Sequence, residues 1–319
     1  MRKFLLGISA LLLLNVLPAF AQQDAQFSQY MFNAQYLNPA TVGAEGVVRF
    51  QLLNRVQWAG YQATFDDGGS PITQVFSFNM PLNQISSGIG FHLVNDKIGP
   101  LTNFELQLSY AYRLKLSPDA TLSLGVRGGL NTKTLNADMF RPREVGDVII
   151  PAGGRINESQ PDFAIGAYYQ TSAYYLGISL NHVNNSKYKF GQDKATNPLK
   201  QTLYLTGGFN YYLNDLIELR PSALLKTDLN QLSLEANVLA VYNNKFWVGA
   251  GGRLGDGVIG MAGVYLMPNN ALRLGAAVDL ITNGASAKSP YSHEILLSYA
   301  IPAPQITKRT PVRTPRFRY

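Results

Sequence analysis

The chain has 319 residues, only 15% of them charged, a formal net charge of +7 and no cysteine. With no disulfide available, stability must come from a large core or from a closed hydrogen-bonded sheet. The positive charge resembles a nucleic-acid footprint until it is apportioned: Arg2 and Lys3 open the chain and five basic residues end it, leaving 20 basic against 20 acidic residues over 22–301, so no nucleic-acid partner is expected.

Residues 1–21, MRKFLLGISALLLLNVLPAFA, join a basic start to an apolar run and a small-residue Ala19-Phe20-Ala21 end. This is the pattern of a signal peptide, with cleavage predicted before Gln22. The apolar run is short for a membrane helix, and no later segment approaches the ~20 consecutive apolar residues that one needs. No cysteine follows the cleavage position, which excludes a lipoprotein anchor.

Residues 22–45 form an N-terminal strap. Phe27, Tyr30, Met31 and Ala34 share one face of a short predicted helix, and Asn38-Pro39 ends it and turns the chain. Two placements stand open, inside a lumen or across its periplasmic mouth.

From 46 to 301 the sequence alternates. Over 102–116, TNFELQLSYAYRLKL, Phe104, Leu106, Leu108, Tyr110, Tyr112, Leu114 and Leu116 fall on one side, while Glu105, Gln107, Ser109, Arg113 and Lys115 fall on the other. Such a strand faces two different solvents. The pattern recurs over 46–58, 71–80, 87–96 and 120–133, and further strands are predicted near 161–171, 173–182, 201–213, 216–226, 230–242, 245–254, 257–267, 270–282 and 291–301. The total is about fourteen strands, each near the ~9 to 11 residues that cross a bilayer as a tilted strand. The stretch 257–267 is apolar on both parities, so alternation does not mark its outward face.

Every second link is tight, as at 81–86, 117–119, 171–172, 214–215, 243–244 and 267–270, whereas the links between them include long ones at 60–70, 134–160 and 183–200. That segregation predicts an all-β, antiparallel up-and-down transmembrane barrel, with short turns on the periplasmic side and long loops outside. Closure pairs every backbone group that lipid cannot satisfy. An even strand number places both chain ends in the periplasm.

Arg49, Arg55, Glu105, Arg113, Arg127, Glu218, Arg220, Glu235, Arg253, Arg273 and Asp279 all carry inward parity. They either line a conductive pore or pair with one another to fill a lumen; a barrel of about fourteen strands lies between packed small barrels and wide porins. In the long 134–160 loop, Val148, Ile149 and Ile150 are unusually apolar, and they either fold into the barrel mouth or form a contact surface for a secreted partner.

No catalytic, cofactor or metal constellation emerges. His92, His182 and His293 lie on separate strands or loop edges without ligand spacing. His182 and His293 have serines nearby but no nucleophile elbow or third partner. The Gly-rich GAGGRLGDG at 249–257 lacks the Lys-Ser/Thr of a phosphate loop, and Leu254 stands where a dinucleotide fingerprint needs its third glycine.

The last segment, 302–319, is basic and Pro-rich. Its prolines forbid another ladder strand, and Lys308, Arg309, Arg313, Arg316 and Arg318 make it either a flexible cation for an acidic periplasmic partner or a plain solvated extension.

The start QFSQYMFN, the NPA at 38–40, Gly43 and the RVQW of the first strand, with NFELQLSYAYRLKL and LSLGVRGGL further on, resemble the PorP/SprF family of Bacteroidetes outer-membrane proteins. The resemblance implies a non-enzymatic barrel of the type IX secretion and gliding machinery, without cofactor. It further implies support for secretion or surface attachment of cargo with a C-terminal sorting domain, such as large adhesins, and contact with periplasmic components. Phe27, Tyr30, Met31, Asn38, Pro39, the 148–150 triplet and the basic tail are then the candidate partner-binding residues. A passive channel or small-solute transporter is the alternative.

Overall fold

The computed structural model describes residues 24–62, 69–140, 154–190, 195–282 and 289–304. Its strands are β1 (Val47–Val56), β2 (Ile72–Leu82), β3 (Ser87–Ile98), β4 (Leu101–Lys115), β5 (Thr121–Asn136), β6 (Arg155–Gln170), β7 (Tyr174–Asn181), β8 (Lys187–Phe190), β9 (Ala195–Pro198), β10 (Thr202–Phe209), β11 (Tyr211–Tyr212), β12 (Ile217–Thr227), β13 (Leu232–Tyr242), β14 (Phe246–Arg253), β15 (Gly257–Leu266), β16 (Leu272–Ile281) and β17 (Tyr291–Pro302). All but β8 and β9 belong to one antiparallel sheet, and β17 closes on β1 from Val47↔Pro302 to Val56↔His293. No described helix is long or apolar enough to cross a membrane.

Segments β10 and β11 are one barrel strand, so the barrel has 14. The interruption at Asn210 has a local cause. Gly208 pairs with Ser222 and Tyr211 with Leu219, which puts Pro221 opposite the gap, and proline has no N–H to give to a ladder.

The two faces separate as the alternation requires. Along β4, Leu106, Leu108 and Tyr110 are exposed, while Glu105, Gln107 and Ser109 are buried. The same outward apolar band runs through Leu52, Val126, Ile165, Leu176, Val238 and Ile295. A closed sheet with apolar residues outside and polar residues inside suits lipid around it and hydrogen bonds within.

The links sort by end. At one rim they span 83–86, 116–120, 171–173, 213–216, 243–245 and 267–271, all short; at the other lie 57–71, 137–154, 182–201 and 282–290 together with the tight 99–100, 228–231 and 254–256. We refer to these as the short-link and long-link ends. The 182–201 link carries the β8–β9 hairpin. Tyr188 of that hairpin is fully buried, and its hydroxyl donates to the backbone oxygen (2.9 Å) and Oδ1 (2.7 Å) of Asn131, so the hairpin folds inward.

The strap is not one helix. It comprises a 3-10 turn at Tyr30–Phe32, a single α turn at Ala34–Leu37 and a second 3-10 turn at Pro39–Thr41. The expected helical face therefore does not form: the local backbone bonds stop after single turns, and Gln35 and Asn38 bond sideways to the barrel wall. Asn38-Pro39 does end the α turn: Asn38 is extended, and its side chain accepts from the Ala40 N–H at 2.9 Å.

Candidate functional site

The strap runs inside the lumen from the long-link end to the short-link end. Of the two placements open to the sequence, the barrel interior is the one observed. Asp24, the first described residue, stands toward the long-link end, and the strap reaches the short-link rim at Gly43, the rim where β17 ends.

At the top of its path Asp24 is buried. It accepts from the Tyr204 hydroxyl at 2.6 Å, contacts His182 Nε2 at 2.9 Å, and its carbonyl accepts from Lys226 Nζ at 2.8 Å. His182 Nδ1 lies 2.9 Å from Asp162, which also accepts from Gln107 at 2.8 Å. His182 sits just after β7 with a φ of +57°, a left-handed conformation rare for a non-glycine residue. Burial alone would raise the Asp24 carboxyl, but His182 and Lys226 outweigh it and hold Asp24 well below the usual carboxylate range. Burial also opposes charge on His182, yet Asp24 and Asp162 pull its imidazole up to about 10. Three elements remote in sequence thus share one charged, hydrogen-bonded knot.

A second network lies four residues further along the strap, at Ser28. The backbone N–H groups of Ser28 and Gln29 donate to the Glu294 carboxylate at 2.9 and 3.0 Å. Ser28 Oγ donates to Asp279 at 2.6 Å, and Arg55 bridges Asp279 (2.6 Å) and Glu294 (3.4 Å). Arg253 joins Glu235 at 2.7 Å and Asp256 at 2.9 Å. Charges this deep are tolerated only when paired and fully bonded.

Mid-barrel, the strap clamps the wall with side-chain amides. Gln35 Nε2 donates to the carbonyls of Phe78 and Phe91, which oppose each other across β2 and β3. Asn38 Nδ2 repeats the device on Ala167 and Ile178 across β6 and β7. Arg127 donates to the Tyr36 carbonyl at 2.8 Å, and Arg113 to that of Gly43 at 2.8 Å. Apolar strap residues Phe27, Tyr30, Tyr36 and Leu37 pack on luminal Leu53, Val75, Val94 and Leu296. Met31 and Phe32 pack against a second cluster around Trp247, Ile259, Met261 and Tyr265. This explains β15: its inward parity is apolar because strap side chains, not water, fill the lumen there.

The sequence-derived luminal set thus divides into parts. Arg55, Glu235, Arg253 and Asp279 form one network; Arg127 and Arg113 hold strap carbonyls; Arg49 pairs with strap Glu45; Arg220 pairs with Glu218; and Glu105 accepts from Asn103 and Asn131. Arg273 stands apart, 4.4 Å over the Phe32 ring and 5.4 Å from Tyr265. Pro39 is buried against the wall. Val148, Ile149, Ile150 and the tail residues Lys308, Arg309, Arg313, Arg316 and Arg318 lie outside the described residues. His92 is buried edge-on to Tyr36, whereas His293 faces outward near the start of β17. No cluster of metal-ligating side chains occurs among the described residues.

A fourteen-strand membrane barrel plugged by its own N-terminal strap matches a family model described as "Type IX secretion system membrane protein PorP/SprF" over residues 19–299. The chain belongs to the PorP/SprF family. No curated protein matches it in sequence. Among solved structures it is similar to the Ralstonia pickettii toluene transporter TbuX, at 13% identity over 85% of this chain and 93% of that one, with a TM-score of 0.52. It is also similar to the P. putida toluene transporter TodX, at 13% identity over 86% and 95%, with a TM-score of 0.50. At that identity the likeness concerns the barrel fold alone. A PorP/SprF member with this fold is an outer-membrane component of type IX secretion.

Proposed function

We propose that this PorP/SprF protein is a non-enzymatic scaffold supporting the secretion or surface attachment of specific cargo with a C-terminal sorting domain, such as large adhesins. The long-link end faces outward and meets cargo; the short-link end and the basic tail face periplasmic components. The observation that supports a scaffold over a passive channel is the strap, bonded along the lumen from Asp24 to Gly43. A segment anchored by two buried charge networks and two amide clamps leaves little free cross-section for solute flow.

The test is quantitative mass spectrometry of cell-surface and culture-medium proteins in the native strain and in one lacking this gene. Loss of one or a few large secreted proteins while general export persists is the expected outcome. An unchanged surface inventory would remove the cargo assignment.

A further inference from the structure

Below the strap, at the short-link end, the lumen holds a chamber of about 300 Å³. Its walls bring together three guanidinium groups, those of Arg49, Arg220 and Arg273, and one carboxylate, that of Glu45. Glu45 is taken by Arg49, with Nε–Oε2 at 2.7 Å, and Arg220 leans on Glu218 at 2.7 Å. Arg273 has no carboxylate partner among the described residues. It lies against the faces of Phe32 and Tyr265, and its Nε is buried without a hydrogen-bond acceptor.

Arg273 is partly buried, and a buried guanidinium N–H without an acceptor favours a nearby anion or other acceptor. Aromatic faces supply part of that stabilisation, but they accept no in-plane hydrogen bond from the guanidinium fork. The fork matches a planar or tetrahedral oxyanion, which it grips through two donors. With Arg49 paired to Glu45 and Arg220 to Glu218, Arg273 leaves the chamber one net positive charge, which favours an anion over a neutral guest. The remaining wall mixes Met31, Phe32, Tyr168 and Tyr175 with side-chain amides such as those of Asn33 and Gln51. A concavity of this size in which convergent polar groups meet aromatic faces can hold a small polar molecule with an apolar part.

We propose that this chamber binds a small organic oxyanion, a carboxylate or phosphate carried on an apolar body, with Arg273 as the principal contact and Arg220 and Arg49 beside it. The site is independent of cargo attachment: it lies under the strap at the end opposite the long loops. Its ligand would enter from the short-link side and contact strap residues Met31 and Phe32 directly, which couples occupancy to the seating of the strap.

The test uses the purified full-length barrel in detergent, titrated calorimetrically with benzoate and phenyl phosphate as probes and with benzamide as the neutral isostere. Saturable binding of at least one anion, at least tenfold tighter than benzamide and weakened by salt, is expected. The variant Arg273→Gln should lose at least tenfold in affinity, whereas Lys97→Gln, on an exposed position far from the chamber, should not change it. Should Arg273→Gln fail to give the heat-modifiable folded band, Arg220→Gln takes its place with the same expected loss. Equal binding of benzamide, no saturable binding of either anion, or full affinity in the arginine variants would each overturn the proposal. Benzoate binding without phenyl phosphate binding identifies a carboxylate as the ligand chemistry, and the reverse identifies a phosphate.

Discussion

Gly125 of β5 and Ala40 of the strap touch backbone to backbone: a Cβ added to Gly125 would overlap the nitrogen and Cα of Ala40 and the preceding Pro39 carbonyl carbon. Neither partner is a flexible side chain that can swing aside, so a larger residue at 125 must push the strap off the wall or bend the wall. Overpacking of this kind costs typically ~1–3 kcal/mol. We expect Gly125→Val to lower the midpoint of heat-modifiable gel migration and to expose the strap to protease. Gly260→Val, at a position where no atom lies within 4 Å of an added Cβ, should leave both nearly unchanged.

The upper anchor of the strap is sensitive to pH at both extremes. His182 is raised from 6.5 to about 10 in the folded barrel, so its contribution is complete below about 6.5 and is lost as pH rises through about 10. Asp24 is depressed, so its contribution is present above the ordinary carboxylate value near 4 and is lost as pH falls further. The chain has no cysteine, so a single Ala25→Cys change gives a clean spin-labelling site beside the knot. The label should be immobile at pH 7, gain a mobile fraction between pH 9 and 11, and already be mobile at pH 7 in a His182→Gln background.

The Arg55 network yields an ordered series. Arg55→Met leaves Asp279 and Glu294 buried without their shared cation, a loss in the range of about 3–5 kcal/mol. Glu294→Gln should cost less, because one side-chain oxygen remains to accept from Ser28 or Gln29. Urea midpoints measured in lipid vesicles should rank native above Glu294→Gln and that above Arg55→Met. The reverse order would show that the carboxylate, not the arginine, is the costlier member to remove.

Leu108 and Gln107 are chain neighbours in different solvents, the first exposed on the outer face and the second fully buried. Arginine at a lipid-facing mid-strand position costs about 2–4 kcal/mol. Leu108→Arg should therefore depress folding into vesicles strongly. Arginine at Lys97, already charged and exposed at the long-link end of β3, should have little effect in the same assay.

How much of this was legible in the sequence depends on which residues share an element. Strand-by-strand alternation, as from Phe104 to Leu116, carries its own partner pattern, and the tight even-numbered links order the strands, so the barrel could be read directly. The plug could not. Its evidence was present as apparent errors of parity: Leu53, Val75, Val94 and Leu296 are apolar on luminal positions, where water would favour polar side chains. Those four lie on four different strands, and only closure of the sheet brings them around Tyr36 and Leu37. The Asp24–His182–Asp162 knot was hidden for the same reason, since a strap, a loop edge and a strand separated by up to 158 positions contribute one group each. The strap's helical spacing misled because Phe27 and Tyr30 are apolar for contact with the wall, not with a neighbouring turn.

Removal of the strap separates a lumen that is closed by design from one that is merely narrow. Fourteen strands enclose more cross-section than the small packed barrels whose interiors side chains fill, and here the strap supplies the missing filling through Phe27, Tyr30, Tyr36 and Leu37. With residues 24–42 deleted, His182, Asp279, Glu294 and Arg127 lose their strap partners and face water, which hydrates a polar wall readily. Single-channel recording in planar bilayers should show a silent full-length protein and a conducting deletion variant. The conductance of that variant should change in ion selectivity when Arg127 is reversed to Glu. Conductance of the full-length barrel at the level of the deletion would instead mean that the strap leaves the lumen in the membrane, and the channel reading would then displace the scaffold.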